Sequence, residues 1–150
     1  MDEALALDAS VVVKWFKKGE ALEREALVLR DRILDTKVSA LTSEWLLLEV
    51  VRAMVKVDFP VEKIEAAYST LKEIVSLGFI EAVPVGDVMD EAKDIIVALS
   101  LLASDAVYLA MAMRGHATLV TEDRHLLRRA VKEYARKGGV KVLSLGDAIT

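Results

Sequence analysis

Apolar residues fall along the chain in two rhythms: short continuous runs, and longer stretches in which they recur every three or four positions. The short runs are Ala4–Leu7, Val38–Leu41, Phe79–Val85, Thr118–Thr121 and Val140–Leu143, each of strand length. Between them, Leu22, Ala26, Leu29 and Ile33 share one face of a helix, as do Val61, Ile64, Tyr68, Leu71 and Val75. Val11–Phe16 predicts a short helix, Ser43–Val57 one that is apolar nearly all round, and Asp87–Leu101, Ser104–Arg114 and Asp123–Arg136 three more. Helices that separate every pair of strands favour parallel neighbours joined by right-handed crossovers. The expected architecture is three-layer α/β, a mostly parallel central sheet flanked by helices. Ligands of such sheets sit beyond the carboxyl ends of the strands, where Asp8 and Asp123 both fall.

The length of 150 residues suits one domain spanning 1–150. With 54% hydrophobic and 29% charged residues, the chain can bury a core. It has no cysteine, so a bound metal must rely on oxygen or histidine ligands, and a reducing cytoplasm is the expected compartment. It also has no Asn and no Gln, the bias expected where heat selects against labile amides, which points to a thermophilic source. The start, MDEALALD, lacks the basic and apolar regions of a secretory signal. The apolar stretch Ile95–Met113 raises the question of a membrane span, but Asp105 lies in its middle, and an ionisable group there costs about 2.5 to 3.5 kcal/mol. That stretch reads as buried helix, with no membrane partner.

Four acids stand out, and each has an ordinary structural explanation. Asp8 and Asp123 sit where helix N-caps belong, after a strand. Glu49, Arg52 and Lys56 form the polar stripe of an otherwise apolar helix, as an ion-pair row would. Asp105 stands in the first turn of the almost wholly apolar helix Ser104–Arg114, again a capping position. Taken together, however, the four come from four segments, two at strand ends and two on very apolar helices. Carboxylates gathered in a partly buried pocket repel one another and lose hydration, so the cluster persists only if protons or a cation neutralise it. Mg2+ or Mn2+, hard ions that take oxygen ligands and keep waters, are the natural partners, and phosphodiester hydrolysis is the chemistry they support.

At these residues the sequence resembles the PIN-domain ribonucleases, most of all the VapC-type toxins of toxin-antitoxin pairs. LALDASVVVKWF resembles the family's opening strand and first acid, LLLEVVRAM the helix of the second acid, ASDAVYLAMAM that of the third, and TLVTEDRHLL the closing T-x-D-x-x-L motif. The resemblance runs over almost the whole chain. It implies that Asp8, Glu49, Asp105 and Asp123 ligate the metal or orient its water, with the hydroxyls of Ser10 and Thr121 supporting them. It further implies an RNA substrate, a homodimer, and an antitoxin whose segment blocks the acidic pocket. Glu44 and Glu122 are acidic neighbours only. The family often has Asn three residues after the second acid, where this chain has Arg52.

A net charge of −4 argues against broad adhesion to nucleic acid, so contacts must be local. Lys14, Arg52 and Arg114, near the acids in sequence, are the candidates for phosphate contact. Seven Lys or Arg residues and one acid lie between Arg124 and Lys141, with Arg124, Arg128, Lys132 and Arg136 at four-residue spacing, either a backbone-contacting ridge or a solvated face. His116 and His125 read as surface residues. Four other readings compete. A phosphatase of the haloacid-dehalogenase type wants a second Asp two residues after the first, where Ser10 stands, and a receiver domain wants paired early acids. A non-catalytic PIN-like module would have lost acids that are all present here. An RNA-processing PIN nuclease without an antitoxin would share the same pocket.

Overall fold

The computed structural model describes residues 3–150. Strands β1 (Ala4–Leu7), β2 (Ser39–Ser43), β3 (Ile80–Val83), β4 (Thr118–Val120) and β5 (Val142–Leu143) form one sheet in the order β3-β2-β1-β4-β5. Every neighbouring pair is parallel. Connecting them are α1 (Ala9–Val12), α2 (Glu23–Leu34), α3 (Leu46–Lys56), α4 (Val61–Ser76), α5 (Met89–Leu99), α6 (Ala103–Arg114) and α7 (Arg129–Lys137), and α8 (Leu145–Ile149) follows the last strand.

The pleat explains the three layers. Alternate residues of a strand point to opposite faces, and both faces are apolar here, as a parallel sheet covered on both sides requires. Leu5 and Leu7 of β1 pack with Ala26, Leu29, Leu46, Val50 and Leu71, from α2, α3 and α4. Ala6, between them, packs on the other face with Leu109 of α6, Ala92 of α5 and Val131 of α7.

Chain order turns at one place. From β1 the chain moves outward through β2 to β3, then returns to the other side of β1 for β4 and β5. The crevice between β1 and β4 is therefore the switch point at which ligands of open parallel sheets bind. Leu7 pairs with Val120 at its rim, so the next residues, Asp8 and Thr121, emerge side by side.

Several elements differ from the pattern-based expectation. The segment Asp123–Arg136 is not one helix. The Asp123 carboxylate accepts the His125 N–H at 2.7 Å, and its carbonyl accepts those of Leu126 and Leu127, giving a compact turn. Helix α7 begins only at Arg129, with extended backbone at Arg128. The proposed ridge is thereby broken, since Arg124 and Arg128 precede the helix and Arg136 is held by Glu133. Ser43 belongs to β2, drawn into the ladder by its pairing with Val83. The apolar stretch Ile95–Met113 is split at Ser100, which adopts φ 55°, and the segments Val85–Leu99 and Ala103–Arg114 diverge by 118°. Among the described residues no single helix is long and apolar enough to cross a membrane.

Candidate active site

Beyond the carboxyl ends of β1 and β4 lies a cleft of about 440 Å³ whose walls include Asp8, Glu49, Asp105 and Asp123. Each reaches it from a different element. Asp8 follows β1 directly, and although it occupies the N-cap position of α1, its side chain caps nothing. Its Oδ1 instead accepts the Ser10 hydroxyl at 2.6 Å and its Oδ2 the Thr121 hydroxyl at 2.5 Å. Those hydroxyls are themselves oriented, because Ser10 Oγ accepts the Glu122 N–H and Thr121 Oγ1 the Asp123 N–H. The two strand ends are thus tied around one carboxyl group. Burial pushes the pKa of Asp8 up from 3.8 to about 7, against the lowering effect of the two hydroxyl donors, and the charge of Asp123 adds to the rise.

Glu49 projects from α3. It forms no ion pair with Arg52 or Lys56. Its Oε1 accepts the Tyr108 hydroxyl of α6 at 2.5 Å, which couples the helix layers across the cleft. Burial first, and then the Glu49 charge, hold the Tyr108 phenol well above its ordinary range, so it acts as a fixed donor.

Asp105 lies in the first turn of α6, is 7% exposed, and does not serve as the cap. Its Oδ2 is buried without a hydrogen-bond partner among the described residues. Burial, followed by the charges of Asp123 and Glu49, raises its pKa from 3.8 to about 6, and nearby His125 opposes the rise. Asp123, in the turn after β4, is the charge common to Asp8 and Asp105. No three of these groups among the described residues are close enough to cage an ion by themselves. An ion here would complete its shell with water and phosphate oxygens, the habit of Mg2+.

The basic candidates separate. Arg52 lines the cleft, one turn from Glu49, and so does Lys56, whose place in the polar stripe of α3 pointed only to an ion-pair row. Lys14 does not line it. Its amine donates to the Ala21 carbonyl at 3.4 Å and lies 3.9 Å from Glu20. Arg114 ends α6, while Asp105 begins it, so the helix separates them by about 13 Å at 1.5 Å per residue. Arg114 instead pairs with Glu91 and the Asp87 carbonyl. Proximity in sequence misleads at this point because a helix carries its two ends to opposite sides of the domain.

Glu44 and Glu122 do structural work instead, accepting the N–H groups of Val85 and Leu145. Tyr108 escaped the sequence reading. The available signal was its place three residues after Asp105, on the same helical face.

The family model described as PIN domain matches residues 5–149. A comparison with curated proteins finds no match. Among solved structures, VapC20 of Mycobacterium tuberculosis, a sarcin-ricin loop cleaving toxin, superposes with a TM-score of 0.61 at 16% identity, over 79% of this chain and 89% of that one. PAE2754 of Pyrobaculum aerophilum gives 0.61 at 23% identity, over 99% and 93%. VapBC2 of Rickettsia felis, bound to a DNA fragment from its promoter, gives 0.59 at 19% identity, over 93% and 96%. At such identities these likenesses are of fold. The family model's match across residues 5–149 is what decides membership, and the chain belongs to the PIN-domain family.

Proposed function

We propose that the chain is a divalent-metal-dependent endoribonuclease, acting as one domain over residues 1–150, with Asp8, Glu49, Asp105 and Asp123 ligating Mg2+ or Mn2+ or orienting its bound water. The observation that carries this reading is the Oδ2 of Asp105, a buried carboxylate oxygen with no donor among the described residues, set among further carboxylates. An anion so placed is costly unless a cation arrives. The donor set fits a hard ion, being all oxygen, and the cleft leaves room for waters. When bound, the ion would supply Lewis-acid activation of a phosphodiester and of the attacking water.

The chain's own residues do the positioning. Ser10 and Thr121 fix both oxygens of Asp8, and Tyr108 fixes Glu49, so two of the acids are oriented before substrate enters. Arg52 and Lys56 stand on α3 beside the acids, where the phosphates flanking the cut would pass. Leu102 and Ser104 bring the first turn of α6, which has no side-chain cap, to the same cleft, adding backbone donors for an anion.

The proposal includes a toxin's role, a homodimer, and an antitoxin whose segment closes the cleft. Its support is the resemblance at the four acidic motifs, together with similar folds that include a sarcin-ricin loop cleaving toxin and VapBC2. Expression in a bacterial host tests it: the wild-type chain should arrest growth and fragment RNA, and Asp8→Asn and Asp123→Asn should do neither. Fragmentation that survives both substitutions would overturn the reading.

A further inference from the structure

We propose that a second, smaller pocket beside the acidic cleft is a nucleobase subsite, holding the base next to the scissile phosphate, an inference that rests on the nuclease reading above. The pocket holds about 200 Å³ and is lined by Ser100, Leu101, Leu102, His125 and Arg128. It shares Leu102 with the cleft, so the two spaces adjoin across one side chain, and that side chain is 69% exposed.

Two short segments build it, the break between α5 and α6 and the turn after β4. Both are fixed by backbone N–H bonds and by the side chain of Arg128. The Ser100 N–H donates to the Ile96 carbonyl at 2.8 Å. The His125 N–H is taken by Asp123, one of the four acids, at 2.7 Å. Arg128 then spans the segments, its Nε donating to the His125 carbonyl at 3.1 Å and its Nη2 to the Leu99 carbonyl at 3.0 Å. Its guanidinium plane is thereby set.

These features select the ligand class. A fixed guanidinium, an imidazole, an exposed leucine and a hydroxyl offer flat, apolar and hydrogen-bonding surface, the combination that receives an unstacked base. A free phosphate is disfavoured, because two donors of Arg128 are occupied by carbonyls and the carboxylates next door repel anions. Aromatic residues make up only 5% of the chain and no Phe, Tyr or Trp lines the pocket, so His125 and Arg128 must supply the stacking.

The test uses short RNAs carrying 2-aminopurine at each position around the cut, mixed with the full chain in EDTA. Quenching is expected at one position only, and His125→Ala should bind that RNA on the order of 10-fold more weakly. Arg128→Lys, which keeps the charge and loses the plane, should do the same. With Mn2+ present, removing the base at that position should lower wild-type kcat/KM on the order of 10-fold to 100-fold. His125→Ala should cut the abasic and intact RNAs at similar rates. Absence of quenching at every position, an abasic RNA cut as fast as the intact one, or His125→Ala slowing both RNAs equally would each overturn the subsite. Quenching without any metal-dependent cleavage would sink the nuclease reading, and with it the placement of the base beside a scissile phosphate; cleavage without base preference would overturn the subsite and leave the nuclease reading standing.

Discussion

Replacing Asp105 by asparagine keeps the shape of the side chain and removes a charge whose Oδ2 has no partner among the described residues. The wild-type carboxyl is raised from 3.8 to about 6, by burial first and then by Asp123 and Glu49. A folded-state pKa above the unfolded value contributes stability that is complete below pH 3.8 and lost as the pH rises through about 6. At pH 7.5 the ionised group is therefore a net cost to the chelated protein. At about 1.4 kcal/mol per decade, the interval sets a ceiling of about 3 kcal/mol. Solvent in the open cleft screens part of this, leaving about 1 to 2 kcal/mol. In a chain of this length, that corresponds to a rise in Tm of about 3 to 6 °C for Asp105→Asn in EDTA. Adding Mn2+ should reverse the order. At one hundred times its Kd, an ion that binds only the folded state adds about 2.7 kcal/mol, and the variant should gain less. The assay is thermal unfolding of both proteins at pH 7.5, in EDTA and through an Mn2+ titration. If Asp105 were paired with a buried cation, the variant would lose about 3 to 5 kcal/mol in EDTA; if it were a helix cap, almost nothing would change, since Asn caps as well as Asp. A large fall in Tm in EDTA with undiminished Mn2+ stabilisation would refute the reasoning.

Three further expectations follow the same geometry. Asp8 is raised from 3.8 to about 7, so the wild-type protein in EDTA should lose stability relative to Asp8→Asn as the pH climbs across that window, by at most about 4 kcal/mol; a flat difference in Tm across the window would contradict it. Arg52→Ala and Lys56→Ala should each weaken RNA binding at all sequences and flatten the salt dependence by about one, whereas Arg114→Ala should leave the salt slope unchanged. Tyr108→Phe removes the donor to Glu49 and should weaken Mn2+ binding about 10-fold to 100-fold by calorimetry with the fold intact, an outcome that unaltered affinity would exclude.

The layers of this fold are legible in the pattern because both faces of the sheet are buried, so strands read as apolar runs and helices as stripes. Strand order is not legible, since nothing local in β4 says that it pairs beside β1. The turn after Asp123 was hidden for a physical reason: one carboxylate capturing the N–H of His125 stops a helix that composition alone would continue. Helix α8 is too short to show a period, and it is placed by Ser144 and Glu122, which accept the N–H groups of Asp147 and Leu145. The acids of the cleft stood out because each is a charge in an apolar setting. The supporting hydroxyls of Ser10 and Thr121 came only with the family resemblance, and Tyr108 was not legible at all, because it meets Glu49 through tertiary packing alone.

The most direct test of the central claim is single-turnover cleavage of a defined RNA by the purified chain, first in EDTA and then after adding excess Mn2+ or Mg2+, with both new ends mapped. The account predicts no cleavage in EDTA, restored cutting at internal phosphodiesters once the ion is added, and no restoration in Asp123→Asn. Cleavage that proceeds equally with and without chelator would contradict it.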